Sequence, residues 1–309
     1  MDKIGIILGI TLMYSAPLIY TALGGVMSEN AGVVNIGLEG MMTLGAFVGT
    51  TVGYYYGNPW LAFLAGGLAG GLLSLVHGIA TISFGADHII SGIAINFIGP
   101  GLSVFLSRLF FDGAAMTKPI PLDNKIPRSL NNLFTKNSFF DMAFNQYDTV
   151  YIAFFLVALV WFVLYKTKLG LRIRSVGEHP KAADTLGINV FKIKYIAVFF
   201  SGVLAGLGGA SMSIAVVANF RPGLVSGQGF IALAAMIFGN WKPQGAMLAA
   251  LLFGGAQGLG IYLGGQDSAI SSNLFSMMPY VITLLALVLF TEGSGGPAAN
   301  GKPYEKTKA

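Results

Sequence analysis

The chain carries a train of apolar stretches, each close to the length that spans a bilayer. A hydrocarbon core of about 30 Å needs roughly 20 apolar residues in helical form, and only helices or closed barrels satisfy their backbone polar groups inside it. Such stretches lie at 4–26, 36–56, 60–81, 89–110, 148–165, 195–218, 245–264 and 275–291, with a shorter one at 229–240. The pattern predicts an all-α, polytopic membrane protein with about nine transmembrane spans, or eight plus a half-helix, in one domain over 1–309. The stretch at 229–240 is too short to cross alone and is expected to work with residues 220–228 as a broken helix. Only 10% of the residues are charged and the mean hydropathy is +0.71, which excludes an ordinary soluble domain. The first stretch follows only Met1-Asp2-Lys3 and runs on without an Ala-x-Ala site, so it is expected to be retained rather than cleaved.

The 43 glycines fall mostly inside the apolar stretches, where they permit close helix contact. With no cysteine there is no disulfide framework, thiolate metal site or thiol nucleophile. The net charge of +5 is spread over loops between spans, which fits membrane flanks better than nucleic acid. Seven of the eighteen Lys and Arg lie in residues 166–194, and Lys302, Lys306 and Lys308 lie in the tail 292–309. The excess of positive charge predicts a cytoplasmic side for both. Walking through nine spans then places the amino terminus and the 111–147 loop outside and the carboxyl terminus inside. Gly40-Met-Met-Thr-Leu-Gly-Ala and Gly229-Phe-Ile-Ala-Leu-Ala-Ala match at Gly, Leu and Ala at a constant offset. Five spans separate the two, which would make them an inverted repeat of the kind transporters use.

Loop 166–194 is polar where everything around it is apolar. Pro180 suits a first helical turn, Ala182 and Ala183 favour helix, and Gly187 is a natural stop. A short helix outside the membrane is expected there, small on one face, suited to docking in a partner's groove.

Ala182-Ala183-Asp184-Thr185-Leu186-Gly187 resembles the coupling helix of ATP-binding cassette (ABC) importer permeases. That Glu-Ala-Ala-x-x-x-Gly element lets a cytoplasmic ATPase move the membrane subunit. Lys181 stands where the Glu would be. The wording from Gly177-Glu178-His179-Pro180 to Gly187-Ile188-Asn189 is similar to the branched-chain amino acid, ribose and nucleoside permease group, which tolerates that departure. Ser28-Glu29-Asn30-Ala31-Gly32 through Asn35-Ile36-Gly37-Leu38-Glu39-Gly40 resembles the segment between the first two spans of the group, closest to its nucleoside and simple-sugar branch. Residues 229–245 resemble the helix-turn-helix near its carboxyl end.

The resemblance implies the permease subunit of an ABC importer for a small polar solute, with a nucleoside expected first, a monosaccharide second and a branched-chain amino acid third. It implies a multi-pass plasma-membrane location. Implied partners are a cytoplasmic ATPase, which would hold the ATP and Mg that this chain does not, a second permease in a heterodimer, and an extracytoplasmic solute-binding lipoprotein. The coupling residues it designates are Glu178, Pro180, Lys181, Ala182, Ala183 and Gly187.

Polar groups within apolar spans are the candidates for a solute path. Glu39, near the start of the second span, would line that path or brace a gate, or else serve as an interfacial acid at a helix start. Asn96, between Ile95 and Phe97, would bond a solute or a neighbouring helix. Asn35, Ser226 and Gln228 lie where the repeat copies enter the membrane, as solute contacts or helix caps. Phe97 and Phe230 offer flat rings for stacking or for packing. His77 and His88 lack metal spacing and are expected to be structural.

An enzyme is not expected. There is no Gly-x-x-x-x-Gly-Lys-Ser/Thr phosphate loop, Gly-x-Ser-x-Gly elbow or His-Glu-x-x-His site. An ion-coupled secondary transporter would want buried carboxylates in mid-span, and Glu39 alone qualifies. Neither that alternative nor a passive channel or scaffold would account for the loop at 166–194.

Overall fold

In the computed structural model, residues 3–131, 133–265, 277, 281–282, 285 and 295–305 are described. They form eleven α-helices and no strand: α1 (Lys3–Glu29), α2 (Leu38–Tyr56), α3 (Pro59–Gly78), α4 (His88–Phe110), α5 (Phe139–Phe144), α6 (Asp148–Lys166), α7 (Lys168–Glu178), α8 (Pro180–Thr185), α9 (Val190–Ala210), α10 (Gln228–Phe238) and α11 (Pro243–Gly264). Helix α3 runs on through a π-helical turn at Ile79–Ser83, and α9 through one at Ser211–Val217. Local chemistry sets the starts. The Asn58 side chain accepts from the Trp60 and Leu61 amides ahead of α3, Asp87 does the same for α4, and Asn189 accepts from Lys192 ahead of α9.

Among the described residues six helices are long and apolar enough to cross a membrane: α1, α3 with its π turn, α4, α6, α9 with its π turn, and α11. Helix α2, expected as a full span, has the length at 19 residues but is not among the six. The reason is its composition, with Glu39, three threonines and three tyrosines in 19 residues. From Leu38 to Gly53 twelve residues are buried inside the chain, Thr43 and Thr50 included, so these polar groups are kept from lipid. Helix α10 has only 11 residues. The backbone before it is irregular, with left-handed φ at Ala218, Gly223, Ser226 and Gly227. The span expected at 275–291 lies largely outside the described residues, as do Lys306 and Lys308.

The loops sort to two ends. At one end α5 packs against the start of α1, where Gly5 and Gly9 face Phe139 and Met142. Residues 117–120 there pair with 218–220 through Thr117 N to Phe220 O (3.0 Å) and Ile120 N to Ala218 O (2.8 Å). At the other end the turn after α1 meets α7 at Gly177, Ser83 bonds Tyr195, and Trp241 bonds Glu29. Residues 111–147 and 166–194 thus sit at opposite ends, the latter with the tail.

Helices α1 and α9 cross at the centre in opposite directions, Gly24 against Ser201 and Gly208 against Thr21 and Pro17. The pairing of helices is unchanged when α1, α2 and α3 are exchanged for α9, α10 and α11: α1 with α11 corresponds to α9 with α3, α1 with α10 to α9 with α2, and α2 with α3 to α10 with α11. The repeat at 40 and 229 therefore belongs to a larger inverted pair.

Glycine makes these crossings possible. A Cβ on Gly70 would lie 2.3 Å from the Gly202 carbonyl oxygen, and one on Gly206 2.4 Å from that of Gly66. Both obstacles are backbone. Gly206→Val is expected to cost the upper end of, or more than, the about 1–3 kcal/mol of ordinary overpacking, read as a lowered melting midpoint in detergent. Gly101→Ala, with nothing within 4 Å, is expected to leave that midpoint unchanged.

Candidate functional site: two capped helix starts and an exposed short helix

Helices α2 and α10 both begin inside the bundle, and neither start has a cap from its own N-cap residue, which is glycine in both, Gly37 and Gly227. Each is capped from another element. For α2 the donor-acceptor pair comes from α4: Asn96 Oδ1 accepts from Gly40 N at 2.8 Å while Asn96 Nδ2 donates to Ile36 O at 3.0 Å. For α10 the cap is Glu39, whose Oε1 accepts from Gly227 N and Oε2 from Gly229 N, both at 2.7 Å. These are short bonds at the positive end of a helix. Gly229 is required there, because a Cβ would meet the Glu39 backbone nitrogen at 2.5 Å.

The expected path residues separate accordingly. Glu39, Asn96 and the turn containing Ser226 and Gln228 are brought together where the two half-helices meet. Asn96 bonds a neighbouring helix in this conformation. Ser226 holds a left-handed φ of 42°, and Gln228 is buried at the first turn of α10. Asn35 is fully buried, its Nδ2 donating to Ser201 Oγ at 2.9 Å, and its Oδ1 has no hydrogen-bond partner. Phe97 and Phe230 do not join them. They are 76% and 49% exposed on the outer face of the chain.

The histidines fix the turn that leads into α2. Val34 N donates to His88 Nδ1 at 3.1 Å, and Val34 O accepts from His77 Nε2 at 3.0 Å. His77 Nδ1 then takes the Ser91 hydroxyl at 2.9 Å, so the surroundings assign both tautomers.

At the opposite site, α8 starts at Pro180 and stops before Gly187, whose φ of +79° is the left-handed stop that glycine favours. Lys181, Ala182, Thr185 and Gly187 are exposed and Leu186 is 81% exposed. Ala183 turns the other way, buried against the bundle. It anchors α8 and is not on the outward face. Glu178 ends α7 and accepts from Ala298 N at 3.2 Å. Helix α7 itself was not anticipated, since residues 168–178 read as polar loop. Its signal was the spacing of Leu169, Ile173 and Val176, the last two buried. Glu29 was also missed as a site residue. Its Oε2 accepts from Trp241 Nε1 at 2.6 Å and Asn300 Nδ2 at 2.8 Å.

An all-helical bundle with an inverted pair, two half-helix starts meeting inside it and a short helix exposed at one end is the layout of a membrane permease. The chain belongs to the family described as "Branched-chain amino acid transport system / permease component", whose model matches residues 7–287. It is 47% identical to the guanosine ABC transporter permease protein NupQ of Bacillus subtilis, over 99% of this chain and 98% of that protein. It is 43% identical to the nucleoside ABC transporter permease protein NupC of Lactococcus lactis, over 99% of each. A more distant relative, the guanosine permease protein NupP of Bacillus subtilis, is 26% identical over 65% of this chain and 58% of its own length.

Glu39→Ala strands the buried Gly229 amide, a loss of about 1–3 kcal/mol for a buried donor left unpaired, and the half-buried Gly227 amide, which costs less. A lower melting midpoint and reduced transport are expected. Glu39→Gln keeps one acceptor and is expected to fall between. Equal midpoints for Glu39→Ala and wild type would remove the cap from the account.

Proposed function

We propose that this chain is the membrane-spanning permease of an ATP-driven importer of nucleosides. The observation that carries the substrate is the likeness, over nearly the whole length, to permeases named for guanosine and nucleoside transport at 47% and 43% identity. The chemistry at the half-helix junction supports it. The groups there are amides, backbone N–H and a carboxylate already bonded to two of them, so a neutral solute with hydrogen-bonding edges suits it better than a zwitterion, which needs a partner for each charge.

In this reading an extracytoplasmic lipoprotein delivers the solute and a cytoplasmic ATPase, holding ATP and Mg, docks on the outward face of α8. Glu178, Pro180, Lys181, Ala182 and Gly187 form or flank that face, and Ala183 holds it to the bundle. A second permease completes the path. Two guanosine permease proteins of one organism match this chain at very different levels, 47% and 26%, as two unlike halves of a heterodimer would. The end bearing α7, α8 and the tail is proposed to face the cytoplasm, with the amino terminus outside.

Cells carrying the complete transporter are expected to take up radiolabelled guanosine and uridine, with unlabelled nucleosides competing and ribose, galactose and leucine not. Uptake blocked by ribose or leucine and indifferent to every nucleoside would defeat the substrate while leaving the importer intact. The orientation has a separate check in this cysteine-free chain. Asn131→Cys is expected to react with an impermeant thiol reagent on intact cells, and Ser175→Cys to be protected; the opposite pattern reverses the topology.

A further inference from the structure

Residues 295–305 form a strap across the end of the bundle that carries α8. Ala299 N donates to Gly177 O at 2.9 Å, and Ala298 N to the Glu178 carboxylate. The Tyr304 ring meets Phe191 at the start of α9 edge-on at 5.5 Å. In the other direction Gly296 lies against the Trp241 indole, where a Cβ would come within 2.9 Å of the ring. Asn300 shares the Glu29 oxygen with that same indole. The strap thus bonds or packs on both sides of a division: α7, which leads directly into α8, and α9 on one, the end of α1 and the α10–α11 corner on the other.

We propose that this strap, with Glu29 and Asn300 as positioning residues, transmits movement of the docking helix to α10. The inference rests on the importer function above. Helix α8 has six residues and is held to the bundle by Ala183 and its own ends. A groove of about 530 Å³ lined by Glu178, Pro180, Lys181, Lys302 and Tyr304 separates it in part from the strap, leaving α8 free to shift. Beyond α10 the corner is tightly made. Asn240 and Trp241 both take a φ of +53°, and the indole is held by Glu29. An 11-residue helix moves as a body, so displacement at Trp241 arrives at Gly229, where Glu39 caps it. Glu29 is 4% exposed and, among the described residues, has no cationic partner. Burying an acidic side chain on neutral donors alone is costly to stability.

The complete transporter, reconstituted with its ATPase, second permease and receptor, is assayed for nucleoside imported per ATP hydrolysed. In Glu29→Ala and Asn300→Ala that ratio is expected to fall about tenfold, within the range of ordinary coupling energies, with hydrolysis close to wild type. Glu29→Gln, which keeps an acceptor oxygen for both donors, is expected to restore it. A chain ending at residue 294 is expected to behave as the alanine variants do. An unchanged ratio in the truncated chain or in both alanine variants overturns the proposal, as does a parallel fall of hydrolysis and import, the sign of lost docking or fold. Absence of nucleoside import in the wild type counts instead against the substrate.

Discussion

The whole arrangement depends on backbone meeting backbone where α2, α3 and α9 cross. Lipid tails are as apolar as leucine, so helices in a bilayer gain little by hiding apolar surface from one another and associate through packing at close range. Gly45, Gly66, Gly70, Gly202 and Gly206 each face a carbonyl or Cα of the opposing helix at distances no side chain tolerates. With α9 drawn in this far, α2 is enclosed by α3, α4, α9 and α10. Enclosure in turn frees α2 from the composition of a lipid-facing span. Its buried threonines return their hydroxyls to its own turns, Thr43 to Glu39 O and Thr50 to Ala46 O.

A protected centre also permits irregular backbone at membrane depth. Residues 30–37 and 218–227 are not helical; the first segment is mostly buried, whereas Arg221, Pro222, Gly223 and Ser226 are exposed, and irregular backbone is tolerated in a bilayer only inside protein or lining a water-filled cavity. Each leaves a helix start with unpaired amides. Asn96 closes one and Glu39 the other, while His77 and His88 pin the turn at Val34. The ordering is causal: glycines allow the crossing, the crossing hides the turn before α2, and both helix starts require caps from outside their own sequence.

That ordering explains what could be learned from sequence. Span positions were legible because a length of about 20 apolar residues is a local property: the expected 4–26, 89–110, 148–165 and 245–264 differ by three residues or fewer at each end from α1, α4, α6 and α11. The Pro180 start and the Gly187 stop were legible for the same reason. The role of Asn96 was not, since whether an amide bonds a solute or a neighbouring helix depends on what lies opposite it. Ala182 and Ala183 look alike in sequence, and the fold turns one outward and the other in. Helix α7 was hidden by its charges, although Leu169, Ile173 and Val176 held the period of a helix lying on the bundle. The strap had no local signal at all. Ala298, Ala299 and Asn300 are ordinary tail residues until Gly177, Glu178 and Glu29 are placed beside them.

The inverted pair accounts for one asymmetry at its centre. At the offset that superposes Gly40 on Gly229, Glu39 corresponds to Gln228, and in the structure Glu39 bonds the residues on either side of that glutamine. Equivalent positions of two inverted copies therefore meet. Were both copies to carry glutamate, two carboxylates would share one buried junction, and only one could remain ionised without a large cost. With glutamine in the second copy, a single carboxyl group accepts from two amides of the opposing helix, and the second side chain contributes a neutral amide. The departure from internal symmetry lies where symmetry would be most expensive, and it leaves a junction with one carboxyl group whose two oxygens are already bonded.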